Sequence, residues 1–266
     1  MLSSFPSFRL LARHTALLLV AAAALAGCAS SPVANPADPL EPVNRAVFNV
    51  NEKVDKYVAE PVAKGYQAVT PEPVRTAVSN VYSNLSDVGN FANNLLQGKG
   101  VEAAESLMRV AINSVLGIGG LLDIATPAGL QKHSQDFGLT LGTWGVPAGP
   151  YVVLPLFGPS TARDGVGLLA DHWLAPVTYL DPAWRNSMTG AAIVNGRANL
   201  LGATDLLSLA ALDKYTFVRD AYLQRRRYLL RDGADPLPAY EEDEAPALAA
   251  APPEAAQDGN AASGTD

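Results

Sequence analysis

Residues 137–162 read FGLTLGTWGVPAGPYVVLPLFGPSTA, a run without a single formal charge. The poverty in charge extends further. From Val110 to Ala162 only Asp123, Lys132 and Asp136 carry one. The run is apolar enough to lie near lipid, yet it cannot cross a bilayer as a helix. Gly138, Gly142, Gly145, Gly149 and Gly158 interrupt it, as do Pro147, Pro150, Pro155 and Pro159. An interior proline removes a backbone donor and costs a helix about 3 kcal/mol. In hydrocarbon, irregular backbone survives only where protein covers it or where it lines a wet cavity. Two folds remain open: the Gly-rich core of a soluble domain, or part of a membrane-embedded body with a polar space inside.

On both sides of this run the apolar residues recur at helical spacing. Val43, Val47, Val50, Val54 and Val58 share one helix face, with Asn44, Arg45, Asn51, Glu52 and Asp55 elsewhere on the wheel. Pro61 and Gly65 should break or bend the chain after it. A second helix fits Pro73 to Leu85, and Ser86 with Asp87 could cap a third that runs to Leu96. Gly98 and Gly100 should stop that one. Val101 to Leu116, about Ala191 to Ala211, and Lys214 to Arg231 read as further helices. No series of alternating strands is visible, so the fold class expected is all-α.

The N-terminus fixes compartment. Arg9 and Arg13 precede an apolar run that begins near Ala16 and ends in Leu25-Ala26-Gly27-Cys28, and Cys28 is the only cysteine. A basic start, a short apolar middle and small residues before a cut describe a secretory signal peptide, residues 1–27. The run is about 11 residues, against the roughly 20 that a spanning helix needs. Cys28 would then be the lipidated N-terminus of the mature chain, followed by a tether over 28–37. Ala29, in place of an Asp, points to the outer membrane. With Cys28 committed to lipid, no disulfide can staple the mature chain.

The net charge of −7 is unevenly spread. Residues 234–266 hold eight acids and neither Lys nor Arg, and they read as a disordered acidic tail. The body, 38–233, is close to neutral. A near-neutral body argues against nucleic acid, which needs a basic footprint.

Chemistry on a substrate finds little support. The mature chain has two histidines, His133 and His172, far apart, so no metal-ligand spacing exists. His133, Ser134 and Asp136 invite a triad, but no G-x-S-x-G elbow presents a serine. A helix start with Ser134 as cap and His133 exposed is the plainer expectation. Gly98-Lys99-Gly100 lacks the residues of a phosphate loop. Gly117-Ile118-Gly119-Gly120 is too short for a dinucleotide fingerprint and suits a tight turn or close helix packing. No catalytic residue, metal or cofactor is expected, apart from the covalent lipid on Cys28.

Several strings taken together resemble one family. They are Asp38-Pro39-Leu40-Glu41 with Asn44-Arg45 and Phe48-Asn49-Val50-Asn51, then Asn94 to Gly98, then Asn113 to Asp123. The longest runs from Asp136-Phe137-Gly138 through Trp144-Gly145-Val146, Gly149-Pro150-Tyr151 and Leu154-Pro155 to Arg163-Asp164. In order, over about residues 38–231, they resemble the MlaA (VacJ) outer-membrane lipoproteins, and the N-terminal cysteine agrees. The acidic tail is not part of that pattern.

The resemblance implies a ring-like bundle of amphipathic helices in the periplasmic leaflet of the outer membrane, with a central amphipathic channel. Mislocalised phospholipids would pass through it to a soluble, MlaC-like periplasmic carrier, and trimeric porins would be the membrane partners. A structural scaffold lipoprotein that moves no lipid is the alternative. Asn44, Arg45, Phe48 and Asn49 become candidate channel residues, although helix packing and N-terminal turn hydrogen bonds account for them equally well. Gly117, Gly119 and Gly120 become candidates for a flexible gate. Trp144, Tyr151, Val153, Leu154 and Phe157 become a candidate lipid-facing surface. Arg225, Arg226 and Arg227 would meet headgroups or a partner, or form a solvated helix end favoured by the helix dipole.

Overall fold

The structure is a computed structural model that describes residues 38–232, with backbone alone for 206–210. The signal segment 1–27, Cys28 with its tether 28–37, and the acidic tail 234–266 lie outside the described residues.

Helix α1 (Glu41–Val54) passes through a π-helical turn, Asp55–Ala59, directly into α2 (Glu60–Val69). Pro61 therefore does not break the chain. A proline has no N–H to donate, and the wider π turn absorbs the missing bond. The Glu60 amide reaches back to the Asp55 carbonyl across it.

Helix α3 spans Glu72–Leu96 as one element of 25 residues. Ser86 and Asp87 lie in its interior and cap nothing, a correction to the two-helix expectation. Asp87 fits there because its carboxylate finds partners: Asn90 and Arg109 donate to it, and Lys132 forms an ion pair with it. Helix α4 covers Gly100–Val115.

The uncharged run becomes three short elements. It starts with α5 (Phe137–Thr143). A hairpin follows, β1 (Tyr151–Leu154) antiparallel to β2 (Gly158–Thr161), with Tyr151 opposite Thr161 and Leu154 opposite Gly158. The chain then enters α6 (Ala162–Leu174). The hairpin is a departure from an all-α reading, within a fold that is otherwise helical. Its strands are four residues each, too short for the alternation to stand out among the prolines and glycines.

The cap of α5 is Asp136, which accepts from the Leu139 amide, not Ser134. His133 is partly buried and faces Glu105, so it is not a free surface group. A 3-10 turn, Pro176–Tyr179, leads to α7 (Pro182–Ala210), which begins nine residues earlier than its periodicity suggested, and then to α8 (Lys214–Leu230). Helix α3 packs on α4, α2 on α7, and α5 on α6, with β1 against α1. The α5–α6 contact is close: a Cβ on Gly167 would lie 2.5 Å from the Gly138 amide nitrogen.

Burial is inverted relative to a water-soluble bundle. Among the described residues, nine hydrophobic side chains are buried against eighteen polar or charged ones. In α3 the buried residues are Asn84, Asp87, Asn90, Asn93 and Asn94. In α4 they are Ala103, Ser106, Arg109 and Asn113, and in α1 Asn44 alone. The valines Val50, Val54, Val58 and Val62 point outward, as do Leu95, Leu107, Leu169, Trp173 and Trp184. Large apolar side chains exposed in such number are the mark of a membrane or partner face. No described helix is long and apolar enough to cross a membrane.

Candidate functional site

The polar interior is a set of linked hydrogen-bonded centres. A group buried among charges costs free energy unless each donor and acceptor finds a partner, and here most do. On α8, Arg226 donates to both carboxylate oxygens of Asp136 and, at 2.8 Å, to Asp164 of α6. Arg163 also holds Asp164 at 2.9 Å, and the Tyr222 hydroxyl donates to its other oxygen at 2.8 Å. Burial alone would raise the Asp164 pKa, but Arg226, Tyr222 and Arg163 together hold it below the ordinary carboxylate value. Arg226 is thus no solvated helix end, whereas Arg225 and Arg227 are exposed.

Asp171, also on α6, accepts from the Phe137 amide at 2.9 Å and from Asn93 of α3 at 3.2 Å. Burial pushes its carboxyl up. Asn93 in turn accepts from Thr140 at 2.9 Å. Across the molecule, Arg109 of α4 donates to Asp87 at 3.0 Å, to Thr126 and to the Leu130 carbonyl.

The candidate channel residues of α1 divide. Asn44 donates to Asp38 and to the Tyr151 carbonyl, and it accepts from the Val153 amide at 2.9 Å. It ties α1 to the hairpin edge. Arg45 pairs with Glu41 and Asp213 and lies 4.3 Å from the Tyr215 ring centroid. Phe48 meets Tyr215 edge-on, with centroids 5.6 Å apart. These three are packing and tethering groups.

Asn49 is different: it borders an open cavity of about 590 Å³ beside the π turn. Two ion pairs brace this cavity, Arg197 with Asp55 at 2.6 Å and Lys214 with Glu52 at 2.5 Å. A second, more apolar cavity of about 340 Å³ opens between α3 and the 3-10 turn, with Asp136 and Asp171 in its wall.

Two of the three glycines in the 117–120 turn are fixed by packing. A Cβ on Gly117 would lie 2.2 Å from the Leu122 carbonyl oxygen, and one on Gly120 2.9 Å from the Asn84 side chain. Gly119 has open space but a φ of +69°. Asn113 braces the turn that follows, accepting from the Ile124 and Ala125 amides. The close contacts of Gly117 and Gly120 leave little room for a flexible gate.

Of the expected lipid-facing residues, Tyr151 and Val153 are buried in the core beneath Tyr215 and are withdrawn from that surface. Alternation along β1 turns them inward. Leu154 is half-buried, while Trp144 and Phe157 are exposed. Among the described residues no group of His, Cys, Asp and Glu is arranged to hold a metal ion.

The interior network rests on Arg163 and Asp164, which the pattern reading quoted without assigning them a role, and on Asp136, which it weighed only for a triad. Residues 36–229 match the family described as MlaA lipoprotein. The chain belongs to the MlaA lipoprotein family. The intermembrane phospholipid transport system lipoprotein MlaA of Escherichia coli K12 is 37% identical over 217 residues, which cover 79% of this chain and 85% of that one. The protein of the same name from Haemophilus influenzae is 34% identical over 224 residues, covering 81% and 89%. A solved structure described as "Structural basis for maintenance of bacterial outer membrane lipid asymmetry" is similar at a TM-score of 0.65 and 36% identity, over 73% of this chain and 98% of that one. The MlaA resemblance read from the sequence strings is therefore borne out.

Proposed function

We propose that this MlaA-family chain is an outer-membrane lipoprotein, anchored through Cys28, that withdraws mislocalised phospholipid from the outer leaflet and passes it toward the periplasm. The observation that carries this reading is the inverted burial: a polar, hydrogen-bonded interior inside an apolar exterior. A phospholipid needs a polar route for its head while its tails stay in an apolar setting. A helical body in one leaflet with a wet passage through it meets both needs. The amphipathic helices would lie along the leaflet as interfacial helices do. The E. coli and H. influenzae relatives are named for an intermembrane phospholipid transport system, which favours the same assignment.

In this reading the body faces the periplasm, a trimeric porin holds it in the membrane, and a soluble MlaC-like carrier receives the lipid. No bond is made or broken, so the protein acts as a conduit and not as an enzyme. A membrane-impermeant amine label applied to whole cells tests the reading. Deleting the protein should raise surface-labelled phosphatidylethanolamine, and the wild-type chain should restore the low level. Unchanged labelling in the deletion strain would contradict the transport role.

A further inference from the structure

The cavity beside the π turn has a charge arrangement that the packing of the fold does not require. Its ion pairs, Arg197 with Asp55 and Lys214 with Glu52, neutralise one another. Glu60, in the same wall, is paired by Lys64 at 2.6 Å. What remains is Lys53 and Lys56, neither of which pairs with an acid among the described residues, and Asp205 on the α7 side. Asp205 makes no close ion pair among the described residues, although its charge supports Lys64 and Arg197 at longer range. With those three pairs set aside, two cations and one anion are left at an opening of about 590 Å³, within the range of ordinary ligand pockets.

The backbone adds to this. The π turn Asp55–Ala59, which lies just before Pro61, forms part of the cavity wall. π turns inside helices recur at functional sites. On the adjoining face of the same helices, Val50, Val54, Val58 and Val62 form an exposed apolar stripe at four-residue spacing, with Tyr57 exposed beside it.

We infer that this cavity binds the headgroup of a zwitterionic phospholipid of the phosphoethanolamine class. The phosphodiester lies against Lys53 and Lys56, the ammonium lies against Asp205, and the acyl chains run along the valine stripe. This rests on the lipid-transport reading above and names the lipid class that it favours. A phosphatidylglycerol head offers the phosphate without the ammonium and leaves Asp205 unanswered.

The test uses the purified full mature lipoprotein in detergent and short-chain dihexanoyl lipids, with affinity measured by titration calorimetry. Replacing both lysines (Lys53→Gln with Lys56→Gln) should weaken phosphatidylethanolamine and phosphatidylglycerol alike, by about tenfold. Asp205→Asn should weaken phosphatidylethanolamine alone by about threefold, the size of a partly exposed ion contact. All three side chains lie at an open cavity rim, so thermal unfolding should be unchanged. Inorganic phosphate should not displace the lipid. Wild-type affinity in the lysine variant would overturn the inference. So would an Asp205→Asn effect on both lipids, or displacement by phosphate, which would mark a plain anion site. These outcomes leave the cell-surface labelling result untouched, so failure here is distinguishable from failure of the transport reading.

Discussion

Asn44 shows how one polar side chain can hold two elements. Its amide satisfies the Tyr151 carbonyl and the Val153 amide, both at the hairpin edge. Asn44→Leu leaves both backbone groups unpaired, and each costs about 1–3 kcal/mol when buried. The variant should unfold at a distinctly lower temperature in detergent. Asn44→Asp keeps an acceptor for Val153 but loses the donor, so its deficit should be smaller for that contact and larger against Asp38. Two neighbouring glycines separate packing from backbone strain. Gly117→Ala drives a methyl into the Leu122 carbonyl, whereas Gly119→Ala meets only a left-handed φ. Thermal unfolding should show a loss of about 1–2 kcal/mol for Gly119→Ala and a clearly larger one for Gly117→Ala. The reverse order would contradict the packed-turn description. Asp164 supplies the acid limit. Its folded pKa is lowered, so its stabilising contribution is present above the ordinary carboxylate range and is lost as pH falls through that range toward the folded value. Asp171, raised by burial, has the opposite sign and loses its contribution as pH rises through its folded pKa. The melting temperature should fall below about pH 4, and Asp164→Asn should flatten that limb. At neutral pH the same variant should be destabilised by about 3 kcal/mol, because Arg226 loses one of its two carboxylate partners.

At the scale of the element, α3 behaves as a helix turned inside out. Its buried positions are asparagines and an aspartate, and its Leu95 and Leu96 are exposed. Asn93→Leu should therefore destabilise the detergent-solubilised protein, because Asp171 and Thr140 each lose a partner. Leu95→Ser should cost little in detergent but should weaken partition into vesicles. A soluble helix would give the opposite pattern for both. The sequence made the helices legible because period 3.6 is independent of which face is buried. It supplied α4 and α8 to within one residue at either end. It divided α3 at Ser86 and Asp87 because those residues usually cap helices, and here Arg109 and Lys132 satisfy Asp87 from elsewhere in the chain. The side that faces inward was harder to read. The valine stripe of α1 looks like a core face, whereas Asn84, Asp87, Asn90 and Asn94 at three- and four-residue spacing carried the opposite signal and were available in the sequence. The Arg226 network depends on residues up to 90 positions apart, a separation that no local pattern reports.

At the scale of the molecule, the account predicts that the apolar exterior lies in lipid and the polar interior stays wet. The chain carries three tryptophans, Trp144, Trp173 and Trp184, and all are exposed, at 54%, 65% and 69% of their surface. Aromatic rings of this kind collect where a membrane meets water. They are also built-in reporters of immersion, since no label has to be added. The most direct measurement is the quenching of this fluorescence in vesicles that hold the mature lipoprotein. Phospholipids with a spin label on the acyl chain should quench it strongly, and aqueous iodide should quench it weakly. Strong quenching by iodide with no response to the labelled lipids would place these surfaces in water and contradict the account.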